Sequence, residues 1–112
     1  DDLVRLAAAS ICRMSVANRL EASIVADSRS AWHGARLDEL IAGLEIDIVP
    51  VSARHGEVAR LAYRRFGRGS GSPAKLNFGD CFAYALSVTS GEPLLFVGDD
   101  FAHTDVVSAR AL

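Results

Sequence analysis

The sequence predicts an α/β fold in which a parallel sheet is joined by crossover helices. Two short stretches read as strands: β-rich Ile46–Val51, IDIVPV, and the continuous apolar run Pro93–Val97, PLLFV, both bounded by turn residues. Stretches with helical periodicity alternate with them, and that alternation is the signature of parallel βαβ units. A length of 112 residues fits one domain, taken as 1–112. A domain of this size buries roughly 65% of its unfolded surface, enough for a real core.

The elements follow in order. Residues 3–9 read as the end of a helix, and Ile11–Met14 is a short apolar stretch. Ser15 can cap a helix running to about Asp27, with Val16, Leu20 and Ile24 at four-residue spacing. A second helix runs from about Arg29 to Gly43, with Gly43 as its stop. Trp32, with Leu37, Leu40 and Ile41, belongs to packing or an interface. After the first strand, Ala53–Phe66 is an amphipathic helix with an apolar stripe of Val58, Leu61, Ala62 and Phe66. Arg60, Arg64 and Arg68 form a row at i, i+4 and i+8 on the opposite face. GRGSGS, residues 67–72, with Pro73 behind it, is the most loop-like segment and too short to divide domains. Asn77 caps a helix over about 78–89 that stops near Gly91. Val106–Val107 closes the series as one more short strand.

Composition excludes several classes. Half the residues are apolar and 23% are charged, as in ordinary globular chains and unlike disordered or fibrous ones. No apolar run approaches the ~18 residues of a membrane span. The first ten residues lack the basic region of a signal peptide. Cys12 and Cys81 are too few for a disulfide scaffold, and both are expected to be reduced, buried and inert in a cytoplasmic protein. The net charge of −2 advertises no global affinity for polyanions. The distribution does. Arg54, Arg60, Arg64, Arg65, Arg68 and Lys75 face Glu57 alone between residues 54 and 75, a local surplus of five positive charges. Such a segment is either a solvated basic face or a phosphate-binding one.

Four carboxylates stand out. Glu21 has Leu20 and Ala22 beside it and Ala17, Ile24 and Val25 as helix neighbours. It either sits at the edge of that apolar arc and reaches water, or it has a partner, because burying a lone carboxylate costs several kcal/mol. Asp80 falls at N3 behind the Asn77 cap, where an acid serves a capping box. A rigid helix start is also how a metal ligand would be presented. Asp99 and Asp100 follow the apolar run directly behind Gly98, as an Asp-rich turn or a cation site. Asp105 reads as a turn or cap acid. Carboxylates on three different elements are the hard oxygen donors that Mg²⁺ or Mn²⁺ takes, and phosphodiester hydrolysis uses such a cation. The expectation is that Glu21, Asp80 and Asp99 or Asp100 converge at the carboxyl end of the sheet. Other chemistries fall away. GSGSPAK lacks the ending of a phosphate-binding P-loop, His33, His55 and His103 lack zinc spacing, and no serine sits in a nucleophile elbow. His103 follows the acidic turn and is either a surface loop histidine, the favoured reading, or a neighbour of the site. A receiver-like domain is disfavoured, since Lys75 is the single lysine and lies on no late strand.

LNFGDCFAYALSVTSGEPLLFVGDDFAHTDV, Leu76–Val106, resembles the C-terminal half of PIN-domain ribonucleases, above all the VapC toxins of bacterial VapBC toxin–antitoxin pairs. That group carries a GDC-F-Y-AL helix, a PLLF strand and a GDDF–TD turn. MSVANRLEASIV, Met14–Val25, is similar to the family's helix that bears a glutamate, and GRGSGSPAKLNFGD to its connection into the GDC helix. The resemblance implies a three-layer α/β/α fold. It aligns Glu21 with the helix glutamate and Asp80 with the GDC aspartate. Gly98 stands where the family has an aspartate after the strand, so Asp99 is the substitute, with Asp100 assisting. The family opens with a strand ending in an aspartate, within V-D-x-S-A. Nothing at Asp1–Ser10 matches it, so the chain is expected to lack that first strand, about 20 residues.

The activity so implied is that of a Mg²⁺- or Mn²⁺-dependent endoribonuclease toxin. Its acidic pocket comprises Glu21, Asp80, Asp99 and Asp100. Arg60, Arg64, Arg68 and Lys75 hold the RNA backbone. A VapB-like antitoxin that presents a basic side chain to the acids, and a second copy in a homodimer, are the implied protein partners. The alternative is a catalytically inactive PIN-fold fragment that binds an antitoxin or itself.

Overall fold

The computed structural model describes residues 11–95 and 100–109. The chain forms two compact units that meet in sequence between Pro50 and Val51. The expected helix over 3–9 lies outside the described residues.

In the first unit, strand β1 (Arg13–Ser15) leads directly into helix α1 (Val16–Arg29), then helix α2 (Ala31–Gly43) and strand β2 (Asp47–Val49). The two strands pair in parallel, with Arg13 opposite Asp47, Met14 opposite Ile48 and Ser15 opposite Val49. A parallel pair needs a crossover, and the two helices supply it. Ser15 ends the strand in extended conformation and accepts the Ala17 N–H at 3.3 Å, the cap its sequence position predicts. Ser30 serves both helices. Its N–H bonds the Ala26 carbonyl at 3.3 Å, and its hydroxyl accepts the His33 N–H at 3.0 Å. One extended residue thus turns α1 into α2. Gly34 is buried where a Cβ would run into the side chain of Asp27, so the helices approach closely at that point. Gly43 is not the stop. It is the last helical residue, Leu44 is the cap, and Glu45 takes the left-handed conformation at φ 53°. The row Val16, Leu20, Ile24 is exposed, as is Trp32.

The second unit contains helix α3 (Ala53–Phe66), helix α4 (Phe78–Ser90) and a short 3₁₀ turn at Phe101–His103. Ala59, Ala62 and Phe66 from α3 meet Cys81, Tyr84 and Ala85 from α4, with Ala74, Leu76 and Phe101 completing the core. Small residues let the helices close, and Phe66 and Tyr84 fill the space at one end, their rings 5.8 Å apart. The apolar stripe is therefore rotated from the expected one: Leu61 is 56% exposed and Ala59 takes the inner place. The helix ends at the Gly67 cap, so Arg68 lies beyond it and the i, i+8 relation to Arg60 fails. Instead the backbone pairs back on itself. Gly67 forms a parallel bridge with Leu76, the Leu76 N–H bonds Phe66 O at 2.8 Å, and the Arg68 N–H bonds Leu76 O at 3.1 Å. This closes the 67–76 loop and buries Leu76 completely. Helix α4 stops at Gly91, left-handed at φ 68°, as its sequence predicts.

Of the expected strand Pro93–Val97, residues 96 and 97 fall outside the described set. Leu94 makes a parallel bridge with Ser108, one residue past the expected Val106–Val107 strand. The Leu94 N–H bonds Val107 O at 2.7 Å and the Ala109 N–H bonds Leu94 O at 2.9 Å. The architecture is the α/β class the sequence predicts, with every pairing parallel among the described residues. No helix among them is long and apolar enough to cross a membrane.

Candidate active site

Asp80 is held by the start of α4. Its Oδ2 accepts the Asn77 N–H at 2.9 Å, and Asn77 Oδ1 accepts the Asp80 N–H at 2.9 Å, a reciprocal capping box. The capping expectation is thus met with half of the carboxylate. Oδ1 accepts no hydrogen bond among the described residues. The side chain is half-buried in the first turn of the helix. Its neighbour Cys81 is buried, and that burial, reinforced by the Asp80 charge, pushes its thiol pKa up. The thiol stays protonated and inert, as expected. Cys12 is half-buried, not buried.

Glu21 lies on α1 in the first unit. It is exposed, and its carboxylate makes no ion pair or hydrogen bond among the described residues. Asp99 lies outside the described residues. Asp100 is exposed at the entry to the 3₁₀ turn and caps no backbone N–H, while Phe101 next to it is buried and anchors the turn to the core. His103 is exposed, as a loop histidine would be.

Asp105 has a role the sequence does not disclose. Its Oδ1 accepts the Tyr84 hydroxyl at 2.6 Å and its Oδ2 lies 3.4 Å from Arg65 Nη1. The Arg65 guanidinium lies 4.5 Å from the centroid of the Phe66 ring. This network ties α3, α4 and the segment after the acidic turn together. Burial first, then the hydrogen bond to Asp105, pushes the Tyr84 hydroxyl up to about 12. Tyr84 and Asp105 are far apart in sequence, and no local pattern couples them. The network also removes Arg65 from the free basic set. Arg60, Arg64, Arg68 and Lys75 are all exposed, and none is in an ion pair among the described residues.

Among the described residues, no three His, Cys, Asp or Glu side chains stand close enough to share a metal ion. In kind, the acids fit a hard cation: Asp80 offers one uncommitted oxygen, and Glu21 and Asp100 have no side-chain partner among the described residues.

Residues 2–107 match the family model of the PIN domain. The chain belongs to the PIN-domain family. The match runs through both compact units. VapC ribonuclease Mb0625 of Mycobacterium bovis is 51% identical over 105 residues, which cover 93% of this chain and 79% of that protein. Ribonuclease VapC28 of Mycobacterium tuberculosis gives the same figures. Ribonuclease VapC42 of Mycobacterium tuberculosis is 47% identical over 95 residues, covering 84% of this chain and 72% of the relative. Within the PIN family the chain is therefore of the VapC type.

Proposed function

We propose that this chain is an endoribonuclease toxin of a type II toxin–antitoxin pair, acting in the cytoplasm on RNA phosphodiester bonds. The observation that carries the reading is the Asp80 carboxylate. One oxygen is locked by the helix cap and the other accepts nothing among the described residues, in a chain of VapC type. A group so fixed loses little further freedom when it engages a ligand.

In this reading residues 1–112 act as one domain, and Glu21, Asp80 and Asp99 hold Mg²⁺ or Mn²⁺, with Asp100 assisting. The cation, when bound, polarises the phosphate and supplies hydroxide. The chain's own residues position the RNA. Asp80 is aimed by Asn77. The 100–109 segment carrying Asp100 is steadied by buried Phe101 and by the Asp105–Tyr84 bond. Arg60, Arg64, Arg68 and Lys75, exposed and unpaired among the described residues, hold phosphates without reading bases. The same concentration of carboxylates suits a basic side chain from a VapB-like antitoxin, and a second copy completes a homodimer.

Asp80→Asn tests the reading. The amide keeps a cap acceptor, so stability should fall by only about 0.3–1 kcal/mol, the worth of the N-terminal charge. RNA cleavage should disappear while thermal unfolding stays cooperative. Cleavage at the parental rate would reduce Asp80 to a capping residue and remove the proposal's basis.

A further inference from the structure

Between α3 and α4 the second unit has a cleft of about 220 Å³. It is lined mainly by Ala59, Arg60, Tyr63, Phe78, Cys81 and Phe82. Its chemistry is unusual for a surface. Phe78 is 78% exposed although it is the first helical residue behind the Asn77 cap, and Tyr63 is 44% exposed. The Phe78 and Phe82 rings meet edge to face with centroids 5.0 Å apart, so Phe78 is held in place while its outer face stays open. Arg60 is the single charged group in the lining, and Arg64 follows one turn along the same helix. Neither is in an ion pair among the described residues.

We propose that this cleft is a stacking site for one unpaired RNA base. The inference rests on the RNA reading above and names a subsite of it. The volume falls below the roughly 300–1,000 Å³ of pockets that take drug-sized ligands, which suits a single ring system. The wall is aromatic and apolar with a guanidinium at its edge, the surface on which single-stranded bases stack and beside which phosphates are neutralised. The surrounding segment, residues 54–75, holds the chain's surplus of positive charge.

The test is binding of a fluorescent single-stranded RNA hexamer to the full chain in EDTA, where binding is read without cleavage. A parallel series carries one abasic nucleotide at each position in turn. Phe78→Ala should weaken binding of the intact hexamer by about 5- to 150-fold. Phe78→Trp should restore it. One abasic position should cost the parent a similar factor and cost Phe78→Ala nothing further. Because Phe78 is exposed, both variants should unfold at the parental temperature. Parental affinity in Phe78→Ala, with Arg64→Ala weakened, would overturn the stacking site and leave the RNA reading standing. Parental RNA affinity together with a change from dimer to monomer in sedimentation would assign the cleft to a second copy instead. Failure of the parent chain to bind any hexamer would overturn both readings.

Discussion

Helices α1 and α3 are both 14 residues long and both carry apolar side chains at helical spacing, yet they bury opposite amounts. No residue of α1 is buried, and Leu20 and Ile24 are each 60% exposed. Helix α3 buries Ala59, Ala62 and Phe66 against α4. The difference lies in what each helix meets. On α3 the inner face is small, so α4 closes on it, and Leu76, Phe66, Tyr84 and Phe101 fill the rest. In residues 11–50 the only buried side chain is that of Ser15, alongside Gly34. Apolar spacing names the apolar face. It does not say whether another element covers that face.

The largest expected effect on stability follows from this contrast. Leu76 is wholly buried, so Leu76→Ala should cost about 2–5 kcal/mol in urea unfolding. Leu20→Ala, in a row of equal helical regularity, should change stability by no more than about 0.5 kcal/mol. Equal losses would mean that Leu20 is covered in solution and that the contrast between the regions is wrong.

A smaller effect belongs to the network that ties the second region together. The Tyr84 hydroxyl ionises at 10.0 ordinarily and at about 12 in the folded chain. The folded state holds that proton more tightly. Its contribution is therefore complete below pH 10 and lost as pH rises towards about 12. Tyr84→Phe should cost about 0.5–1.5 kcal/mol at neutral pH, the worth of one hydrogen bond. It should also lose less stability than the parent above pH 10, where the parent's tyrosine begins to resist ionisation. Identical alkaline decline in parent and variant would show that Tyr84 is not the group responsible.

What the sequence disclosed was local. Ser15, Asn77 and Gly91 act where their positions predict, because caps are decided by the residue and its immediate neighbours. The range Ala53–Phe66 was readable for the same reason. Glu45 in place of Gly43, and Ala59 in place of Leu61, were not, since both depend on how an element docks. Arg68 looked helical by spacing, but the bridge from Gly67 to Leu76 ends the helix first. At the site, Asp80 was legible as an N3 acid and as a family match. The clasp of Asp105 by Tyr84 and Arg65 was not, because its partners lie 21 and 40 residues away.

The function proposed above has Glu21 and Asp80 serve one reaction. It is tested most directly by cleavage of a quenched single-stranded RNA by the full chain, by Glu21→Gln, by Asp80→Asn and by the double variant. Each single change should lower kcat by about 100-fold or more, and the double should be no slower than the slower single, because groups that act as a unit do not lose additively. Parental cleavage by Glu21→Gln, or losses that multiply in the double variant, would contradict a shared site.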